Sequence, residues 1–173
     1  MLPKTADVVI IGGGCMGAST AYYLARRGGR SLRVVLLERE KFLGMGSTGR
    51  NAGGVRYQFS TEVNIRLSLY SLDVIVHFED WFGVSAEYRP IGYLFLLTTP
   101  GEVATFQSNV ELQKRLGVPW VRYLERDEIA QLVPLVNLDG VLAGTFCPRD
   151  GLADPNSVTQ GFAKAAARGG AQI

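Results

Sequence analysis

The stretch that decides the fold is Val8–Gly17, VVIIGGGCMG, in which a short apolar run passes directly into a glycine turn. Its glycines have the spacing G-x-G-x-x-G. Gly12 permits a tight turn, Gly14 lets a pyrophosphate approach the backbone, and Gly17 lets the next helix pack closely on the strand. The pattern predicts a helix from about Cys15 to Arg27, whose N–H groups and positive end would face the anion.

A second apolar run, Leu32–Leu37, follows this helix and leads into Glu38. Glu38 lies 21 positions after Gly17, where a dinucleotide-binding fold needs a carboxylate for ribose hydroxyls. The same carboxylate disfavours NADP because it would repel a 2′-phosphate, even with Arg39 beside it. Strand, turn, helix, strand and acid in this order predict a nucleotide-binding βαβ unit, and the alternative is a purely structural glycine turn.

A second glycine-rich stretch, residues 44–54 (GMGSTGRNAGG), replaces the helix that usually follows this strand in nicotinamide-binding domains. Its backbone N–H groups and polar side chains are suited to an extended phosphate–ribityl chain. The alternative is a flexible linker, although linkers seldom carry a pair such as Arg50 and Asn51.

Composition excludes several classes of function. The chain has 173 residues, of which 47% are hydrophobic, and this is enough to bury a core. A net charge of +2 without any basic run argues against nucleic acid and anionic membranes as partners. Cys15 and Cys147 form neither a disulfide framework nor a metal site, so a reducing, cytoplasmic location is expected. Residues 8–25 carry no charge, but their glycines argue against a membrane span.

The chain changes in character after Gly83. A long helix is predicted to begin near Thr61 and to include Phe78, and Trp81 is predicted to be buried. Strands are then predicted at residues 87–89, 92–98, 120–123 and 141–147, with helices at residues 102–116 and 127–133.

A final helix is predicted to start at Asp154-Pro155, with the acid at its cap and the proline in its first turn. Ala171–Ile173 is predicted to be the first step of a further strand. The fold class is therefore α/β, a Rossmann-like βαβ with an inserted α+β domain, both incomplete in this chain. Residues 1–82 and 155–173 are assigned to the nucleotide-binding domain and residues 83–154 to a second, substrate-binding domain. We expect the chain to be an N-terminal piece of a longer protein.

The two glycine stretches and Glu38 together resemble the FAD-dependent D-amino-acid oxidase superfamily. The sarcosine oxidase β-subunit, dimethylglycine dehydrogenase and glycine oxidase branch is the most similar. The similarity continues through residues 92–95, 126–129 and 150–155 and the final helix, so it covers nearly the whole chain.

The resemblance implies FAD as cofactor and the oxidation of a C–N bond in a small amine or amino acid to an imine. Oxygen or another electron acceptor would then reoxidise the flavin, and the chemistry would belong mainly to the flavin itself. Gly12, Gly14 and Gly17 would meet the pyrophosphate, Glu38 would hold the adenosine ribose, and the second stretch would line the phosphate, ribityl and ring side. The predicted cofactor residues are Gly12, Gly14, Cys15, Met16, Gly17, Glu38, Arg39, Gly46, Ser47, Thr48, Arg50, Asn51, Ala52 and Gly53.

The flavin is predicted to be non-covalent through this segment, because residues 44–54 hold no cysteine and His77 is the only histidine. No catalytic residue and no metal ligand are assigned. Arg56 and Tyr57 either face the ring or a substrate carboxylate, or serve in packing. Asp150 and Asp154 are interpreted as a turn and a helix cap.

Three functions stay open. The first is a flavin amine oxidase or dehydrogenase, in which this segment alone is inactive and an oligomer is possible. The second is a non-catalytic FAD-binding subunit or assembly factor of the same fold. The third is a nicotinamide-dependent dehydrogenase.

Overall fold

The structure, a computed structural model, describes residues 3–173, and the chain divides there into two compact units. The first unit contains residues 3–53, Ile75–Tyr88 and Ala153–Ile173. The second unit contains Gly54–Val74 and Arg89–Leu152.

The first unit is a βαβ arrangement extended by further helices. Its elements are β1 (Val8–Ile11), α1 (Cys15–Gly28), β2 (Val34–Leu37), α3 (Phe78–Phe82) and α6 (Pro155–Arg168). Strands β1 and β2 are parallel, with Val8 opposite Val34 and Ile11 opposite Leu37. Gln172 continues this sheet beside β2: its N–H donates to the Val34 carbonyl at 2.9 Å, and its carbonyl accepts from the Leu36 N–H at 2.8 Å. The predicted further strand step therefore lies parallel to β2.

Small side chains let the helices of this unit pack closely. Ala21 and Ala25 of α1 form a buried cluster with Val34, Leu36 and Ala166. These alanines let α1 pack closely on the two-stranded sheet.

The predicted long helix is in fact interrupted. Helix α2 (Glu62–Val76) ends before His77, and Phe78 begins the separate helix α3, which ends at Gly83 in the left-handed conformation with φ of 69°. Phe78 and Phe82 are buried and pack against Phe162 of α6. Burying this aromatic cluster, rather than continuing one helix, accounts for the break.

The second unit is antiparallel. Its strands and helices are β3 (Gly54–Val55), most of α2, β4 (Tyr93–Leu97), α4 (Pro100–Arg115), β5 (Arg122–Glu125), α5 (Arg126–Leu132), β6 (Ala143–Cys147) and β7 (Gly151–Leu152). One sheet has the order β4-β6-β5 and a second pairs β3 with β7. The pairing of β3 with β7 was not predicted, because two-residue strands leave no periodic pattern.

Two predicted strands need correction. Residues 87–89 do not form one: Glu87 has a φ of 50°, and Arg89 makes only a single bridge, to Leu152. The strand predicted at residues 120–123 lies two positions later, in β5. The compact units also differ from the predicted boundaries, since residues 54–74 join the second unit and residues 83–88 and 153–154 join the first. The role assigned to each domain stays a prediction.

Within residues 3–173, none of the helices has both the length and the apolar character that a membrane crossing requires.

Candidate nucleotide site

The glycine turn between β1 and α1 depends on the absence of side chains. Gly12 has a φ of 107°, a conformation that favours glycine, and no atom of the described residues lies within 4 Å of the position of an added Cβ. At Gly17 an added Cβ would overlap the carbonyl oxygen of Gly12. Gly12 and Gly17 thus have the predicted turn and packing roles, while their contact with a pyrophosphate stays a prediction.

Glu38 ties the end of β2 to this turn. One carboxylate oxygen accepts the Gly13 N–H at 2.7 Å and the other accepts the Glu40 N–H at 3.0 Å. The Glu40 N–H and then the Gly13 N–H hold the pKa of Glu38 below its ordinary value, so this carboxyl group is ionised at neutral pH. Arg39 is exposed and pairs with Glu40 at 3.1 Å. The sequence predicted the acid at this place but not its bond to Gly13.

The second glycine stretch is folded against the turn. The Gly44 N–H donates to the Gly13 carbonyl at 3.0 Å, and the Cys15 N–H donates to the Thr48 hydroxyl at 3.1 Å. The Asn51 carboxamide donates to the Thr48 carbonyl and accepts the Gly53 N–H. These bonds exclude the flexible linker as a description of residues 44–53.

Two predicted cofactor residues thereby have structural partners. The Thr48 hydroxyl supplies an acceptor to the first turn of α1, whose cap residue Gly14 offers no side chain. Gly53 has a φ of 76°, and an added Cβ there would overlap the carbonyl oxygen of Ala153. The spacing of residues along the sequence did not predict either of these two contacts.

The face between the two glycine stretches is open. Ile11 is 88% and Met16 80% exposed. Exposure is shared by most predicted residues of the second stretch, namely Gly46, Ser47, Arg50, Asn51 and Ala52. Helix α1 has no acidic residue in its first turn, and the nearest carboxylate, Glu38, bonds to the Gly13 N–H before the helix cap. A glycine turn followed directly by a helix N-terminus fits a diphosphate ester.

A buried polar cluster occupies the second unit. The Asp150 carboxylate accepts the Tyr57 N–H at 2.7 Å and the Gln58 side-chain amide at 3.0 Å. Gln58 in turn accepts the Thr145 hydroxyl at 2.8 Å. Burial raises the pKa of Asp150, and the bonds from Tyr57 and Gln58 act in the opposite direction. Burial likewise raises the pKa of the Cys147 thiol to about 12, with the nearby Asp150 carboxylate adding to the shift.

The other candidate residues have packing or capping roles in the structure. The Arg56 guanidinium lies 4.9 Å from the centre of the Tyr93 ring, and Tyr57 is buried, which favours the packing alternative for both. Asp154 caps α6 by accepting the Ser157 N–H at 2.6 Å, as predicted. Trp81 is 48% exposed, so the prediction that it is buried is wrong.

His77 belongs to neither of the two glycine-rich stretches. Its ring is exposed and stacks on Trp81, with centroids 5.7 Å apart. In the part of the chain that the structure describes, no group of three His, Cys, Asp or Glu side chains is placed to hold a metal ion.

Comparisons with known proteins, by sequence and by structure, all find oxidoreductases. A family model described as FAD dependent oxidoreductase (DAO) matches residues 7–173. Dimethylglycine dehydrogenase, mitochondrial, from Homo sapiens is 38% identical over 173 residues, a match covering 97% of this chain and 19% of that protein. FAD-dependent oxidoreductase domain-containing protein 1 from Xenopus laevis is 35% identical, with 95% of this chain and 34% of that protein covered.

The crystal structure of L-proline dehydrogenase from P. horikoshii is similar in fold, with a TM-score of 0.86 and 38% sequence identity. That match covers 99% of this chain and 44% of the other. The predicted fold class is thereby confirmed. The chain spans about one third or less of the length of the curated relatives named above.

Proposed function

This chain belongs to the FAD dependent oxidoreductase family, and from that premise we propose that it forms the dinucleotide-binding part of an amine or amino-acid oxidoreductase. The substrate we propose is a small amine or amino acid whose C–N bond is oxidised to an imine, which water then hydrolyses. The resemblance found in the sequence is confirmed at the level of the family, whose members are FAD-binding flavoproteins. The substrate class rests on relatives named for dimethylglycine, sarcosine and L-proline.

The observation that carries the proposal is the docking of the second glycine stretch on the first. Gly44 and Thr48 bond to Gly13 and Cys15, so the loop after β2 is part of the nucleotide turn. A nicotinamide-binding domain would continue from β2 into a helix instead. This loop in place of a helix therefore favours FAD and disfavours the nicotinamide alternative.

The residues present fit that cofactor. The backbone of Gly12, Gly14 and Gly17 and the positive end of α1 would hold the pyrophosphate. Glu38, kept ionised by its backbone partners, would accept hydrogen bonds from the adenosine ribose. The exposed polar side chains of the second stretch would line the phosphate, ribityl and ring side of the cofactor.

Bound flavin would supply the redox chemistry by taking two electrons from the substrate, with oxygen or another acceptor removing them later. The residues described here would bind and orient the cofactor. No catalytic group is assigned among them. Non-covalent attachment through this segment and a cytoplasmic location both remain proposals.

Flavin content tests the cofactor assignment. Gly14→Val should abolish FAD retention on purification, because a branched side chain would stand where the pyrophosphate approaches; a Cβ there already comes within 2.8 Å of the Thr48 hydroxyl. Glu38→Ala should lower retention because the ribose loses its acceptor. Gly101→Ala is the matched control, since the described residues leave open space around that position. Normal flavin absorbance in folded Gly14→Val protein would overturn the phosphate assignment.

Anaerobic reduction tests the reaction. The full-length flavoprotein is mixed with sarcosine, dimethylglycine, glycine, L-proline or a D-amino acid, and the flavin bands are followed. Bleaching by one of them supports an amine oxidoreductase. Bound flavin that none of them reduces, while dithionite does, favours the alternative of a non-catalytic FAD-binding subunit or assembly factor.

A further inference from the structure

A cavity of about 160 Å³ lies within the second unit. Three phenylalanine rings (Phe59, Phe95 and Phe106) and polar side chains that include Gln113 and Thr145 line it. None of these residues belongs to the predicted cofactor set. For scale, a cavity of roughly 150 Å³ accommodates a benzene molecule.

The lining of this cavity includes an unpaired hydrogen-bond acceptor. Gln113 is 97% buried, and one N–H of its side-chain amide donates to the Phe59 carbonyl at 2.8 Å. Its Oε1 has no hydrogen-bond partner within residues 3–173. The Thr145 hydroxyl donates its hydrogen to Gln58, so this hydroxyl can form further hydrogen bonds only as an acceptor. An unpaired buried acceptor destabilises a protein until a donor reaches it.

The charge beside the cavity selects a neutral occupant. The Arg56 guanidinium lies 5.8 Å from the centre of the Phe95 ring and 6.0 Å from that of Phe59. Two of the three rings already carry this cation, so an ammonium ligand packed on them would meet a like charge. A carboxylate has no hydrogen to donate to Gln113 Oε1, so it would leave this acceptor unpaired and is disfavoured as well.

We propose that this cavity is a binding site for a small neutral molecule with one aromatic ring and one O–H or N–H donor. Its ring packs among Phe59, Phe95 and Phe106, and its donor bonds to Gln113 Oε1. The site does not depend on FAD.

Phenol is the test ligand, and toluene is the matched ring without a donor. Phenol titrated into the isotope-labelled protein should shift the side-chain amide resonances of Gln113, with a dissociation constant on the order of 1 mM for a ligand of this size. Toluene should leave that amide signal in place even where it shifts the phenylalanine rings. Absence of any shift at these residues with phenol on the order of 10 mM overturns the proposal and leaves water as the occupant.

Gln113→Leu isolates the hydrogen bond. The ratio of the phenol and toluene dissociation constants is measured for the wild type and for Gln113→Leu. Comparing the two ratios removes the contribution that comes from the different hydrophobicity of the two ligands. The preference for phenol should fall about two- to tenfold in Gln113→Leu, the range of one neutral hydrogen bond. Exposed Glu111→Ala on the same helix is the control and should keep the original ratio. An unchanged ratio in Gln113→Leu overturns the proposal. If Gln113→Leu does not fold, the titrations of the wild type decide. A shift of the Gln113 amide resonances with phenol but not with toluene supports the proposal, and its absence overturns it.

Discussion

The glycine turn and the Asp150 cluster fix the chain by opposite means. The turn is partly exposed, excludes side chains at its glycines, and is held by bonds between residues 25 and 33 positions apart, as in Gly13 with Glu38 and Cys15 with Thr48. The Asp150 cluster is buried, uses side chains, and joins residues about 90 positions apart, such as Tyr57 and Asp150.

This difference separates two kinds of requirement. In the turn, a side chain is excluded by geometry, so the cost of substitution depends on what a Cβ would strike. In the cluster, a side chain is required by its partners, so the cost depends on which N–H groups are left unpaired. Substitutions at the two places should therefore differ in size, in pH dependence and in their effect on flavin binding.

Gly17→Ala should have the largest effect on stability. Alanine is a better helix former than glycine, so in an open helix this change would stabilise the protein. Here its Cβ would overlap the Gly12 carbonyl, which is backbone and cannot rotate away. We expect a loss of about 3 kcal/mol or more in the free energy of unfolding, measured by chemical denaturation. Gly101→Ala, in the open first turn of α4, should instead leave the free energy of unfolding unchanged or raise it by up to about 1 kcal/mol. A stabilised Gly17→Ala protein contradicts the packing described for the turn.

Asp150→Ala should have the next largest effect. The change leaves the Tyr57 N–H without its acceptor and removes one of the two acceptors of the Gln58 side-chain amide, which also donates to the Tyr93 carbonyl at 2.9 Å. We expect a loss of about 2–3 kcal/mol in the free energy of unfolding, with Asp139→Ala, an exposed acid, as the control. An effect as small as that of the control would mean that water replaces the carboxylate and that the cluster is not sealed.

Asp150 should also give stability a distinct dependence on pH. Burial raises its folded pKa above the ordinary 3.8, so the folded protein binds more protons than the unfolded chain between those two values. Its contribution is present below pH 3.8 and is lost as pH rises through the raised pKa. The free energy of unfolding of the wild type, taken relative to Asp150→Asn, should therefore fall as pH increases across this window. Glu38 and Asp154 shift the other way in both proteins and cancel in the difference. A rising difference would show that hydrogen bonds outweigh burial at Asp150.

The sequence predicted the turn far better than the cluster, for a physical reason. Gly12, Gly17 and Glu38 act through local backbone geometry and a fixed spacing, both of which are visible along the chain. Asp150 looks like an ordinary turn residue until Tyr57 and Gln58 are brought to it by tertiary packing. The same holds for Trp81: its apolar character predicted burial, but the end of α2 and the start of α3 leave it at the surface beside His77.

Of these substitutions, Thr48→Val should lower the free energy of unfolding least. It gives the sharpest test of the comparison between the glycine turn and the Asp150 cluster. Valine keeps the volume of Thr48 but removes the acceptor of the Cys15 N–H in the first turn of α1. The expected loss is about 1 kcal/mol, the value of a helix cap, and Thr48→Ser should restore it because serine keeps the hydroxyl. Flavin retention distinguishes two roles for this residue. If Thr48 only caps α1, retention should follow stability and recover fully in Thr48→Ser. Retention that falls in Thr48→Val while the free energy of unfolding stays unchanged would show instead that the hydroxyl is given to the cofactor, as the sequence predicted, and that the bond to Cys15 is replaced when FAD binds.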